Sequence, residues 1–360
     1  MIWKALRQDS FTVRYDKKCK ASLSRYFDII FDKKIAKFNL LKTFSIDFQG
    51  KSTAEMWKAH NKSVEDFNNY IKKVDSGQEI NDLAENSLLD LKIALAKKVL
   101  ERCVFCMHAC AVNRLKGKTE YCGCSMDFPV STMFDHYGEE PELVPSFTVF
   151  TIGCTMTCLH CQNWMISQWK EAGTQYEFEE VASQVDKAKS RGCRNLNMVG
   201  GDPTPYLYHW LEISREIKEN LPIVWNSNSY YSHPSSRLLA QWADVYLLDF
   251  KYGNNDCAIR ISDAPKYWET CTRNHLIAKE YGELIIRILV LPKHIECCFR
   301  PIVEWIVKNL GRDVRVNVMW QYTPHWRAHE IPELKRRLSR DEMEQTIHIV
   351  KDVGLENFIT

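Results

Sequence analysis

Long apolar runs, an excess of charge of either sign and internal repeats are all missing from this 360-residue chain. The apolar stretch at residues 285–291 is interrupted by Arg287, and nothing approaches the roughly 20 residues a helix needs to span a bilayer. Lys and Arg total 48 against 46 Asp and Glu, a formal charge of +2. That near-balance argues against nucleic acid or an anionic membrane as the main partner. The first ten residues hold no long apolar segment of the kind that directs secretion, so a cytoplasmic protein is expected. Hydrophobic residues make up 45% and charged residues 26%, a globular composition rather than a fibrous or disordered one. The length suits about two domains of ~150 residues.

What the chain does have is cysteine, 14 in all. Without an export signal a disulfide framework is the poorer explanation, because cytosolic thiols are kept reduced. Clustered cysteines in such a chain bind metal or do chemistry. Cys103, Cys106, Cys110, Cys122 and Cys124 form one group, and Cys154, Cys158 and Cys161 a second. Cys193, Cys257 and Cys271 stand alone and read as small buried hydrophobes.

Residues 1–100 read as a helical extension. Ser52 and Glu55 make a capping box ahead of Met56, Val64, Phe67, Ile71 and Val74, and Gly77 suits the stop. A second helix is expected over 80–102, with Leu88, Leu91, Leu95 and Val99 on one face. Residues 101–145 form a Cys-rich segment. From 146 the texture changes to short β-prone runs at 147–152, 195–199, 223–225, 245–250, 284–291 and 314–319. Helical stretches at 178–190, 207–219, 235–242, 265–280, 301–309 and 340–353 alternate with them. Alternation of this kind means βαβ units and a parallel sheet. Six units are too few for a closed eightfold barrel, so an α/β fold with an open, partial (β/α)6 barrel over 146–330 and a C-terminal helix in 331–360 is expected. Ligands should gather at the C-terminal ends of its strands.

Cys154-x3-Cys158-x2-Cys161 directly follows the first of these strands. Three thiolates on one loop can converge on a single centre. Either His160 or a distant cysteine completes a zinc site, or the three hold an iron–sulfur cubane, which normally takes four cysteines, and leave one iron open. Gly200-Gly201-Asp202, at the tip of the second strand, would let backbone approach a ligand closely. In the bland alternative it is an ordinary strand-to-helix turn.

The cysteine loop after the first strand of a partial barrel resembles the radical S-adenosylmethionine (SAM) superfamily. The resemblance implies that Cys154, Cys158 and Cys161 hold a [4Fe–4S] cluster whose open iron chelates SAM. It also implies reductive cleavage to methionine and a 5′-deoxyadenosyl radical, and an electron donor of ferredoxin or flavodoxin type. Gly200, Gly201 and Asp202 resemble the family's Gly-Gly-Glu motif, which meets the SAM amino group; Asp202 stands where Glu is commoner. Trp225-Asn226-Ser227-Asn228, Asp249-x-Lys251 with Gly253 and Asn254, and the segment from Arg287 to Pro292 resemble proteins related to pyruvate formate-lyase activating enzyme. By that match Asn228 belongs with the cofactor-binding residues, Lys251 contacts the SAM carboxylate or ribose, and Asp249 orients the site. The bland alternative for Asp249 and Lys251 is a strand-end ion pair.

Cys103-x2-Cys106-x3-Cys110-x11-Cys122 precedes the barrel as in that subfamily. Four ligands would close a second site, either iron–sulfur or zinc; otherwise they are reduced thiols packing a loop. Cys297 and Cys298, after His294 and Glu296, would line the barrel mouth and pass on a hydrogen atom, or else form a buried pair. Tyr322, His325 and His329 are candidate active-site or substrate-loop residues. The expected activity is that of a radical SAM enzyme acting on a protein substrate, as an activase that installs a glycyl radical. The alternatives are radical modification of another protein or a small molecule, or a metal-stabilised interaction protein.

Overall fold

The computed structural model describes residues 7–360. The first six residues, which belong to the stretch read for a leader, lie outside the described residues. The helix Thr53–Asp75 starts at the expected capping box: the Ser52 side chain accepts the Glu55 N–H, and the Glu55 carboxylate accepts the Ser52 N–H at 2.8 Å. Gly77, at φ +105°, carries the chain away beyond it. The second helix begins at Leu88 rather than near residue 80. The chain just before it is engaged elsewhere: Ile46 N donates to Asn86 O and Leu88 N to Phe44 O, both at 2.9 Å. A second capping box, Ser87 with Asp90, then sets the start.

One nine-stranded sheet organises the rest, in the order β3-β1-β2-β4-β5-β6-β7-β8-β9. The strands are β1 (Pro129–His136), β2 (Ser146–Thr151), β3 (Thr174–Gln175), β4 (Asn195–Gly200), β5 (Ile223–Ser227), β6 (Val245–Asp249), β7 (Glu283–Leu289), β8 (Arg315–Met319) and β9 (Phe358–Ile359). β2 and β4 to β9 run parallel, while β1 is antiparallel to β2 and β3 to β1. The six strands read from the sequence are β2, β4, β5, β6, β7 and β8. β1, β3 and β9 extend the sheet at its edges. Helices Phe178–Arg191, Leu207–Glu216, His233–Leu239, Tyr267–Tyr281, Arg300–Leu310 and Arg340–Val353 match the expected ones, and Asn255–Ser262 is additional. The fold is therefore α/β on a mainly parallel sheet.

Parallel strands are covered on both faces, so they read as nearly continuous apolar runs. Trp225, Tyr246, Leu248 and Ile286 point toward the helices and join the main core. Val224, Val245, Leu247 and Ile285, one residue out of step, face the other way. They pack against Val13, Cys19, Leu23, Tyr26 and Phe27 of the N-terminal helices. Burial of side chains such as Leu23 and Phe27 contributes roughly 1.5–3 kcal/mol each. Glu283, at the start of β7, accepts the Arg25 and Tyr26 N–H groups at 2.7 and 2.6 Å. The N-terminal helices thus fill the inner face at the N-terminal ends of the strands.

Beside Ile285 in register, and farther up the same face, the residues turn polar. Arg315 pairs with the fully buried Glu142 at 2.9 Å, and Asn317 donates to Glu140 at 3.0 Å. Above this layer, at the C-terminal ends, lies the cavity described next. Among the described residues no helix is long and apolar enough to cross a membrane.

Candidate active site

β2 delivers the chain into the cysteine loop through Gly153, whose φ of +93° suits glycine. A Cβ there would also meet Cys124 Sγ at 2.6 Å. The loop is pinned to the helix Asn255–Ser262: Thr157 N donates to Ser262 O at 3.2 Å and Leu159 N to Ile261 O at 2.9 Å. Cys154 and Cys158 are buried and Cys161 is half-buried. Burial pushes the Cys158 thiol up to about 11 against the pull of Lys251, and raises Cys154 and Cys161 as well. Buried thiols of this kind become thiolates once a cation sits among them.

All three cysteines line one cavity of about 440 Å³, together with Gly200, Gly201, Asn228, Asp249 and Lys251. Its wall runs from His136 of β1 to Met319 of β8. Five of the six residues expected to touch the cofactor are therefore at the cavity, and the sixth is not. Asp202 is buried and turned inward: its carboxylate accepts Thr204 N, Ser227 Oγ and Asn228 N at 2.9, 2.9 and 2.8 Å. Three donors close by on neighbouring turns outcompete an open cavity. The twin glycines answer to the cysteine loop. A Cβ on Gly201 would lie 2.1 Å from Gly153 O, and one on Gly200, at φ +133°, 2.3 Å from Thr151 O.

Lys251 Nζ meets Asp249 Oδ2 at 2.7 Å, and Arg287 Nε approaches Asp249 Oδ1 at 3.5 Å. Burial alone would raise the Asp249 carboxyl, but Lys251 and Arg287 outweigh it and hold it below its ordinary value. Arg287 also bonds Asn226, yet its Nε is buried with no hydrogen-bond partner. The cavity floor therefore offers charges of both signs to an entering ligand. Sequence reasoning missed Tyr267, whose hydroxyl accepts Lys251 N at 3.0 Å and donates to Asp249 O at 3.2 Å. It also missed Glu139 and Gln321 on the cavity wall. No motif marks any of the three.

The arrangement fits a cubane better than a lone ion. One zinc held by thiolates at ~2.3 Å brings sulfurs to about 3.8 Å from each other, whereas a cubane carries each thiolate on a separate iron. Among the described residues the loop cysteines belong to no group of three ligand atoms within 4.8 Å of one another. His160, the alternative zinc ligand, has its Nε2 3.2 Å from the Tyr252 hydroxyl, and burial depresses it to about 3.

Cys103, Cys106, Cys110 and Cys122 lie off this cavity. Ala109 and Ala111, on either side of Cys110, are both left-handed at φ +45° and +58°, a strain that side chains adopt when surroundings impose it. Burial raises the Cys106 thiol, and Cys122, Cys103 and Cys110 add to the rise. Cys122 falls to about 6 through its contact with Cys124. The buried Arg114 donates to Pro205 O at 2.5 Å and Ser125 O at 2.6 Å, and its charge faces Cys124, Cys103 and Cys122.

Cys193 and Cys271 are buried, as read from the sequence. Cys257 is buried too, but it also sits 3.5 Å from His294 Nδ1 and 4.0 Å from Cys297 Sγ. Tyr322 is scaffold, buried with its hydroxyl bonded to Leu334 O at 2.7 Å. His325 and His329 are exposed and off the cavity wall.

The model of the radical SAM superfamily matches residues 148–306, a span that begins in β2 and takes in the cysteine loop, the twin glycines and Lys251. Residues 148–306 therefore form a radical SAM domain. That family implies a [4Fe–4S] cluster and SAM. The chain is 40% identical over 344 residues to the uncharacterized protein MJ0674 of Methanocaldococcus jannaschii, covering 93% of this chain and 98% of that one. It is 25% identical over 217 residues to MJ0808 of the same organism, covering 57% and 63%. Among solved structures it is similar to Streptococcus suis SuiB bound to S-adenosylmethionine, with a TM-score of 0.40 and 15% identity. That match covers 57% of this chain and 48% of the other. The matched superfamily span leaves out Cys103 to Cys122.

Proposed function

We propose that Cys154, Cys158 and Cys161 hold a [4Fe–4S] cluster at the floor of the 440 Å³ cavity and that SAM fills the space above it. The observation that carries this reading is the convergence of the three loop thiols, two buried and one half-buried, the Gly200-Gly201 turn and the Asp249–Lys251 pair on one cavity. When bound and reduced, the cluster supplies the electron that cleaves SAM. The chain's own residues do the positioning. Lys251, held by Asp249, offers a cation to the SAM carboxylate or ribose. The backbone of Gly200 and Gly201 lies against the cysteine loop, where a polar ammonium finds carbonyl oxygens. Asn228, fixed by Asp202, donates toward Cys154 Sγ at 3.6 Å, a contact that steadies a cluster ligand. The sheet and its inner layer close the floor of the cavity, and positioning and shielding the reactive species there is the protein's share of cofactor chemistry.

The finer reading is an activase of the pyruvate formate-lyase activating type, working on a glycine of a partner protein inside a partial (β/α)6 barrel. It rests on the segments around Asn226, Asp249 to Asn254, and Arg287. It calls for a ferredoxin or flavodoxin as donor, and for a second cluster or zinc at Cys103, Cys106, Cys110 and Cys122.

The test is anaerobic reconstitution with iron and sulfide, reduction with dithionite and detection of 5′-deoxyadenosine from SAM. Formation of the product, lost in Cys158→Ala, supports the enzyme. A chain that binds only zinc, or binds the cluster and never turns over SAM, overturns it. Deuterium appearing in 5′-deoxyadenosine from a glycine-labelled protein, rather than from a labelled metabolite or another residue, supports the activase.

A further inference from the structure

The described residues contain one group of four metal-ligating atoms that all lie within 4.8 Å of one another: Cys257, His294, Cys297 and Cys298. Nothing in the SAM site uses them. His294 Nδ1 stands 3.5, 3.4 and 3.9 Å from the sulfurs of Cys257, Cys297 and Cys298. Cys297 Sγ is 4.0 Å from Cys257 Sγ and 3.9 Å from Cys298 Sγ.

Hydrogen bonding does not explain this packing. A single ring nitrogen carries at most one proton, yet three sulfurs crowd around it. Disulfide pairing does not explain it either, since S–S bonds are about 2.05 Å long. A tetrahedral ion does. Thiolates at ~2.3 Å and an imidazole at ~2.0–2.1 Å give edges of about 3.8 Å between sulfurs and about 3.5 Å from sulfur to nitrogen. The geometry points to a structural zinc site, Cys3His, formed by Cys257, His294, Cys297 and Cys298. A cubane is excluded by the same short edges, because it would hold these ligands on separate irons. Zinc binding displaces the three thiol protons to solvent.

The surroundings are built for it. His294 Nε2 lies 3.5 Å from both Glu333 Oε1 and Arg260 Nη2, which are themselves joined at 2.6 Å. With an ion on Nδ1 the ring proton sits on Nε2, where Glu333 is the acceptor within reach. Cys297 and Cys298 lie on a single π-helical turn, Ile295–Phe299, where Cys298 N and Phe299 N both donate to His294 O. Such turns gather at functional sites. Asn254 ties the two halves together, accepting Cys257 N at 2.8 Å and donating to Cys297 O at 2.7 Å. Gly253 touches the turn so closely that a Cβ would lie 2.6 Å from Cys298 O.

The ligands come from the chain after β6 and the chain after β7. A small void lined by Lys251, His294 and Cys298 separates them from the SAM cavity. The ion would clasp two strand-end loops directly behind Lys251.

The test uses the anaerobically purified full chain with its clusters in place. Zinc and iron are measured by mass spectrometry, alongside zinc-edge X-ray absorption, in the wild type, Cys257→Ser and Cys297→Ser. Cys297 is exposed, so its replacement leaves the core packing intact. The expected result is one equivalent of zinc fewer in each variant than in the wild type, with iron unchanged and a three-sulfur, one-nitrogen zinc shell. The difference between proteins is the readout, so zinc at Cys103 to Cys122 does not confuse it. A chelator should lower the Tm of the wild type more than that of Cys297→Ser. Equal zinc in all three proteins, loss of iron instead of zinc, or an intact mass revealing a disulfide among the three cysteines would overturn the site. None of these readouts depends on SAM cleavage.

Discussion

Asp202 Oδ2 accepts the backbone N–H of Asn228 at 2.8 Å, and the Asn228 side chain in turn reaches Cys154 Sγ at 3.6 Å. The carboxylate of the Gly-Gly-Asp turn thus governs a residue that touches the cysteine loop, rather than facing the cavity itself.

Asp202→Ala leaves the donors of Thr204, Ser227 and Asn228 without their acceptor in a buried place. At about 1–3 kcal/mol for an orphaned buried group, partly relieved by rearrangement, the variant should lose roughly 3 kcal/mol of stability. It should also bind SAM more weakly, through the freed Asn228. Thermal melting and SAM titration check both. An unchanged Tm and an unchanged Kd together would show that Asp202 holds nothing in place.

Gly201→Ala puts a methyl group 2.1 Å from Gly153 O. Backbone is on both sides of the clash, so the cysteine loop must move. The expected outcome is a folded protein with less iron after reconstitution and at least a tenfold weaker SAM affinity. Iron content and Kd equal to wild type would show that the loop gives way freely.

Cys158→Ala should abolish cluster absorbance at the first site and 5′-deoxyadenosine formation together. Cys106→Ala should spare the first cluster and remove the metal held by the upstream cysteines. Loss of both metals after the Cys106 change would mean the two cysteine groups share one centre.

Lys92 is fully buried, its Nζ bonded to Ala240 O at 2.9 Å, Leu238 O at 3.1 Å and His60 Nε2 at 2.9 Å. A neutral amine suits this cage: two protons go to the carbonyls and the lone pair accepts from a neutral His60. Burial lowers Lys92 from the ordinary 10.5 to about 7, and His60 is depressed as well. Between pH 7 and 10.5 the unfolded chain therefore binds one proton more at this site, and stability from it rises with pH. Below pH 7 the Lys92 contribution is constant, and the depressed His60 extends the loss of stability as pH falls through its ordinary 6.5. Lys92→Met should flatten that rise, seen as a wild-type-minus-variant difference in denaturation free energy measured across the interval.

Much of the fold was legible because its signals are local. β2, β4, β5, β6, β7 and β8 show as apolar runs within two residues of their observed ends, and the Ser52–Glu55 box marks its helix start. The cysteine loop and the Asp249–Lys251 pair are likewise contiguous in sequence and meet at one cavity. What escaped depends on distance along the chain. Cys257 and His294 are separated by the helix Tyr267–Tyr281 and the whole of β7, so a spacing rule gives no hint that they touch. The direction of Asp202 was illegible for a different reason, since its three donors belong to turns whose proximity only the folded sheet creates. The late start of the helix Leu88–Glu101 depends on pairing with residues 44–46, which no helical periodicity reveals.

Leu23, Tyr26 and Phe27 stopper the inner face of the sheet from the end opposite the cavity, so among the described residues entry falls to the C-terminal ends of the strands. Under the proposed chemistry, whatever enters must queue. SAM has to be seated before a bulky macromolecular client covers the opening, and spent methionine cannot escape until that client withdraws. Turnover would then be paced by the client's departure, so a tighter-binding client would make a slower enzyme.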